Sequence, residues 1–169
     1  GESVWLVKDL ASGTVDSGPT AFAVTGDGRL YFLATVSDGT GPKVRLYLTD
    51  GNSGAATDLV GSPVLSVSAD PVDLGSFQGL LAGSNYFMAV DDFSGAGDAL
   101  KLLAFDGVSV SEMTTVDPSG GGRLDQLTEI DSQLGTVAFH VLQSGSGSEI
   151  YLSDGTAGRT LSLNESHPF

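Results

Sequence analysis

Cysteine is absent from this chain, so neither a disulfide framework nor a thiolate site is available to it. Positive charge is nearly as scarce. Seven Lys and Arg residues, scattered singly, stand against 21 Asp and Glu for a net charge of −14. A protein that grips nucleic acid neutralises phosphates with Lys and Arg clusters, so this balance argues against DNA, RNA and anionic membrane surfaces as partners. No apolar run approaches the roughly 18 residues of a membrane span. Histidine is limited to His140 and His167, too few and too far apart for zinc without cysteine and a poor start for a serine hydrolase. His140 lies within an apolar strand pattern and is expected to point away from its phenylalanine face. No pair of carboxylates stands out for glycoside hydrolysis, so the chain reads as non-enzymatic.

What remains is glycine, apolar residues and turns. With 24 Gly in 169 residues, 40% apolar and 17% charged, the composition suits short half-buried strands between tight turns. Three segments say nearly the same thing: Leu46-Tyr-Leu-Thr-Asp-Gly51, Leu102-Leu-Ala-Phe-Asp-Gly107 and Ile150-Tyr-Leu-Ser-Asp-Gly155. A unit recurring about every fifty residues means a repeat architecture. Asp-Gly between apolar runs predicts a two-residue hairpin, in which Gly51, Gly107 and Gly155 take the positive φ and Asp50, Asp106 and Asp154 complete the turn. Return strands are then expected over 55–60, 108–116 and 159–163.

Later in each unit comes an apolar run centred on an aromatic, at Leu30-Tyr-Phe-Leu-Ala, Asn85-Tyr-Phe-Met-Ala and Thr136-Val-Ala-Phe-His-Val, each preceded by a short apolar stretch and a turn. Each unit therefore reads as four short strands. The chain is expected to form one all-β, propeller-like repeat domain over 1–169, with units near 1–45, 46–100 and 101–148 and a partial unit at 149–169. Residues 123–134 carry Leu124, Leu127, Ile130 and Leu134 at helical spacing, but the repeat alignment places 127–130 on a strand, and strand is the preferred reading.

Glu149-Ile-Tyr-Leu-Ser-Asp-Gly-Thr-Ala-Gly-Arg-Thr160 resembles the ELWxxDGTxxGT repeat of large bacterial secreted and surface proteins, and Leu46 to Thr57 is a second match. Leu6-Val-Lys-Asp-Leu10 resembles the strand that follows such a hairpin. The copy at 101–110 keeps the strand and Asp-Gly but loses the later Gly and Thr. The resemblance implies β-propeller-like blades, no shared catalytic residues, a secreted or cell-surface location, and a role in protein interaction, adhesion or assembly. About three and a half units are too few to close a ring of four to eight blades, so a homodimer completing a seven-bladed ring is one expectation.

Aromatics inside the repeat (Tyr47, Tyr151, Phe32, Phe87, Phe139) are expected in the blade core. Trp5, Phe77 and Phe93 are the least explained by it, and would stack on a sugar or on a partner's side chain. The alternative function is thus a carbohydrate-binding module. Asp91, Asp92 and Asp98 surround a Gly-Ser turn of the kind that offers oxygen ligands to calcium, the one cofactor the sequence suggests, although the spacing is not that of an EF-hand and a solvated acidic loop explains it equally well. Protein and glycan partners both stay open, and the insertions near 60–75, 91–99 and 116–123 are where a contact surface is expected.

Overall fold

A computed structural model describes residues 8–10, 17–37, 42–52, 56–61, 64–66, 77–92, 99–116, 123–143 and 147–163. Among the described residues thirteen strands form three consecutive antiparallel sheets, and there is no helix. The first sheet runs β1 (Thr20–Val24), β2 (Leu30–Ser37), β3 (Pro42–Thr49) and β4 (Thr57–Asp58), with β5 (Leu65–Ser66) also paired to β3. The second runs β6 (Gln78–Ala82), β7 (Asn85–Asp92), β8 (Ala99–Phe105) and β9 (Val110–Val116). The third runs β10 (Arg123–Asp131), β11 (Thr136–Gln143), β12 (Gly147–Ser153) and β13 (Leu161–Ser162). Residues 123–131 are a strand, as the repeat alignment requires and the helical spacing does not.

Each Asp-Gly joins the third and fourth strands of a sheet. The partial unit at 149–169 therefore supplies β12 and β13, which complete the third sheet rather than starting a fourth. The repeat has the expected parts in a different phase, giving three whole sheets.

Strand alternation gives each sheet two faces, and the ladders let the three sheets be aligned. Leu30, Tyr86 and Val137 pair with Thr49, Phe105 and Ser153, the residues just before each Asp-Gly. One face, termed the front, then carries Leu33, Val44 and Leu46 in the first sheet and Ala89, Leu100 and Leu102 in the second. The back carries Phe32 and Tyr47, then Met88 and Leu103, then Phe139 and Tyr151. The front of the first sheet shares a core with the back of the second, where Leu33 and Leu46 lie with Tyr86, Met88 and Phe105. The front of the second shares a core with the back of the third, where Phe87 and Leu102 lie with Val137, Phe139 and Val141. The sheets stack front to back in a propeller-like series. Both cores are aliphatic and aromatic, each fully buried side chain contributing about 1.5–3 kcal/mol relative to exposure.

Neighbouring sheets come closest at their first strands. β1 has a bulge at which Ala21 takes a positive φ of 54°, and its freed carbonyl accepts a hydrogen bond from the Tyr86 hydroxyl of the second sheet. Gly79 of β6 faces the same carbonyl, and a Cβ there would run into it and into the Tyr86 oxygen. β10 has a bulge between Leu124 and Gln126, and Gln78 spans the gap to it: its amide nitrogen donates to the Asp125 carbonyl at 3.0 Å and its oxygen accepts from the Leu127 N–H at 2.7 Å. Bulges free polar groups, and buried polar groups need partners. The second sheet satisfies both neighbours.

Candidate functional site

The Asp-Gly hairpins are built by short-range hydrogen bonds. Asp50 accepts from the N–H of Asn52 at 2.9 Å, Asp106 from Val108 and Ser109 at 2.8 Å each, and Asp154 from Thr156 at 2.9 Å. These backbone donors are the leading cause that holds all three carboxyls below their ordinary value of 3.8. Gly51, Gly107 and Gly155 have φ of +82°, +96° and +79°, which is the conformation that only glycine adopts cheaply. All six residues lie in these turns, the aspartates accepting from backbone N–H groups and the glycines at positive φ.

Their connections are not two-residue hairpins. Phe105 pairs with Val110 across 106–109, closed by an Asp106 N–H to Ser109 carbonyl bond at 3.3 Å, whereas in the first and third copies the innermost pairs of the third and fourth strands are Leu48 with Thr57 and Leu152 with Leu161. In these longer copies a hydroxyl precedes the Asp and accepts from the Gly N–H, Thr49 at 3.0 Å and Ser153 at 3.3 Å. The second copy has Phe105 at that place. Losing the later Gly and Thr of the motif thus goes with a tight connection and a long fourth strand, the seven-residue β9, while β4 and β13 have two residues each.

The long third connection also reaches the second sheet. Gly155 lies so close to Asn85 and Phe87 that a Cβ there would meet the Asn85 side chain and come within 3.1 Å of Phe87. Thr160 donates to the Met113 carbonyl on β9 at 3.2 Å. In the first sheet the matching loop is met by residues 8–10: Lys8 Nζ donates to the Ala56 carbonyl at 2.8 Å, and Leu10 packs on Phe32, Tyr47 and Ala56. The motif marks a joint between a sheet and whatever lies behind it.

On its front, each long hairpin borders a cleft at an equivalent place. The cleft in the first sheet is about 160 Å³, lined by Arg29, Leu48, Thr49, Asp50 and Thr57. The one in the third is about 420 Å³, lined by Thr136, Leu152, Ser153, Asp154, Gly158, Arg159 and Leu161. It opens on the front of the third sheet, where the residues matching Leu33, Val44 and Leu46 are His140, Ser148 and Ile150. Leu46 and Leu102 are 0% exposed, Ile150 is 37% and Leu161 65% exposed. His140 Nδ1 lies 2.9 Å from Asp125 Oδ2 across β10 and β11. On the back, Tyr151 donates to Glu149, and burial, that hydrogen bond and the glutamate charge push its phenol up to about 12.

The residues singled out from sequence are not gathered into one site. Phe77 is 4% exposed and belongs to the core between the first two sheets, so its ring is occupied by packing and does not face a ligand. Asp91 and Asp92 end β7, where their backbones pair with Leu100 and Ala99. Their side chains lie outside the described residues, as do Trp5, Phe93 and Asp98. Among the described residues no group of three or more His, Cys, Asp and Glu could hold a metal. Tyr47, Phe32, Phe87 and Phe139 are buried and Tyr151 is half-buried, as expected of blade core. The front of the third sheet was missed because only strand pairing reveals that Ile150 and His140 replace residues buried elsewhere.

No protein-family model, curated protein or solved structure matches this chain. Its reading therefore rests on its own geometry.

Proposed function

We propose that this chain is a non-enzymatic module for protein interaction, adhesion or assembly, belonging to a secreted or cell-surface protein of the ELWxxDGTxxGT type. One observation carries the reading. The front of the third sheet has the register of two faces that are each buried under another sheet, and it keeps Ile150, Leu152 and Leu161 while lying open. Contiguous exposed apolar surface on a soluble protein marks an interaction site. The third Asp-Gly loop abuts the second sheet through Gly155 and Thr160, and His140 is engaged with Asp125. Strong acidity favours solubility and disfavours anionic partners.

The test is whether that face takes up an apolar probe. An anilinonaphthalene sulfonate dye, added to dilute protein, is expected to brighten several-fold and to lose that response in Ile150→Lys. No brightening, or brightening indifferent to the substitution, would contradict the reading.

A further inference from the structure

An Asp-Gly step is a chemical unit as well as a turn. The chain has such steps at 27–28, 38–39, 50–51, 106–107 and 154–155, and all but 38–39 lie within the described residues. In each, the glycine nitrogen is close in the chain to the carboxyl carbon Cγ of the aspartate before it, and no Cβ hinders their approach. Attack of that nitrogen on Cγ closes a five-membered imide.

Two groups must come free for the attack, the carboxyl and the glycine N–H. The carboxylates are tied alike, each by two donors. Asp27 is held by the Thr25 hydroxyl and Arg29, and Asp50 by the N–H and Nδ2 of Asn52 at 2.9 Å each. Asp106 is held by the Val108 and Ser109 N–H groups at 2.8 Å, and Asp154 by the Thr156 N–H at 2.9 Å and the Arg159 guanidinium at 3.4 Å. The glycine N–H is what separates the sites. Gly28 donates to the Thr25 carbonyl at 2.9 Å, Gly51 to the Thr49 hydroxyl at 3.0 Å and Gly155 to the Ser153 hydroxyl at 3.3 Å. Gly107 donates to none of the described residues, since Phe105 stands where the first and third copies have a hydroxyl. An N–H held by an acceptor keeps its proton and pins its peptide plane, whereas a free one yields the proton to water and turns. Asp106 and Gly107 are exposed, and a Cβ at Gly107 would meet nothing within 4 Å, while Gly155 is crowded by Asn85 and Phe87.

From this difference we propose that Asp106 is a site of spontaneous covalent modification, isomerising to isoaspartate ahead of the other described Asp-Gly steps, and that the hydroxyl before the aspartate in the first and third copies guards against this reaction. The Gly107 nitrogen bonds to Asp106 Cγ, and the carboxyl hydroxyl leaves with the amide proton as water. Water then reopens the imide. Reopening at Cγ restores aspartate, whereas reopening at the main-chain carbonyl leaves the chain running through Cβ and Cγ, one carbon longer and unchanged in mass. No other reactant is needed. The change moves the carboxylate that Val108 and Ser109 hold, so it loosens the turn between β8 and β9.

The experiment keeps the folded full chain in warm, mildly acidic buffer, where part of each carboxyl is in the neutral form that can lose water. Samples are digested and mapped by electron-transfer mass spectrometry, which separates isoaspartate from aspartate. Isoaspartate is expected to form at Asp106 on the order of fivefold faster than at Asp27, Asp50 or Asp154, the factor that one net hydrogen bond carries. In concentrated urea the four sites are expected to converge. Thr49→Val removes the acceptor of the Gly51 N–H and should bring Asp50 to the rate of Asp106, while Thr49→Ser should leave it slow. Ser153→Ala makes the same comparison at Asp154, and replaces Thr49→Val if circular dichroism shows that the latter loses its strands. Equal rates in the folded chain, or a faster site than Asp106 among the four, overturn the proposal. A ranking that persists in urea overturns it as well, because the order then belongs to neighbouring side chains and not to the fold. Asp50 unchanged in a folded Thr49→Val chain overturns the hydroxyl as guard.

Discussion

The second and third sheets are built on one register, yet Leu102 is wholly buried while its counterpart Ile150 is 37% exposed. Both faces of the second sheet are covered, and it also lends Tyr86 and Gln78 to the bulges of its neighbours. The third sheet receives that support on its back and offers its front to solvent. Its hairpin is longer, and through Gly155 and Thr160 it adds a contact between the third sheet and the second. Position in the stack, more than strand sequence, decides which apolar residues become core.

The sharpest contrast is expected at the two fronts. Phe87→Ala in the second sheet removes a fully buried ring and should cost about 3–5 kcal/mol, read by denaturant unfolding, whereas Ile150→Ala should cost below about 1 kcal/mol. Similar losses would erase the distinction between a covered and an open face. Next is Gly79→Ala, where the new Cβ meets the Ala21 carbonyl, a backbone atom with no room to give. A loss of about 3 kcal/mol is expected, and a neutral result would mean that the first strands are not in close contact. Gln78→Ala leaves the Leu127 N–H without its acceptor and should cost about 1–3 kcal/mol, more than alanine at the exposed Leu134.

The smallest effect is that of acid. Asp50, Asp106 and Asp154 titrate below 3.8 in the folded chain because backbone N–H groups stabilise their charged forms. The unfolded chain binds these protons first, so the contribution is complete above about pH 4 and is lost as pH falls through the folded values. Alanine at Asp106, which accepts two N–H bonds, should flatten the acid limb of thermal stability more than alanine at Asp154 does. An unchanged limb in all three variants would remove these turns as acid-sensitive elements.

Much of this fold was legible in the sequence because period-two runs ending in Asp-Gly have few other uses. Even 123–131, with Leu124, Leu127 and Ile130 at helical spacing, resolved as strand once the repeat was given priority. Phase was not legible. A repeat has no mark for its beginning, and only the pairing of β11 with β12 shows that 149–163 finishes the third sheet. Loop length was misjudged because Asp-Gly specifies a positive φ but not where pairing resumes. Phe77 was read as a ligand-stacking candidate because it falls outside the repeat, and a residue between sheets can be core without belonging to any strand. The open front could not be read at all, since Ile150 looks like Leu46 and Leu102 until their neighbours are placed.

The central claim is that the Asp-Gly motif is a turn everywhere and a joint between sheets where its glycine meets a neighbour. Alanine at Gly51, Gly107 and Gly155 tests it, because all three share a positive φ and therefore a common strain of about 1 kcal/mol or more. A Cβ at Gly51 or Gly107 meets nothing within 4 Å, whereas at Gly155 it runs into Asn85 and Phe87 of the second sheet. Unfolding free energies should show Gly155→Ala exceeding the other two losses by at least about 1 kcal/mol, the typical cost of overpacking a filled contact. Three equal losses would contradict the joint and leave only the turn.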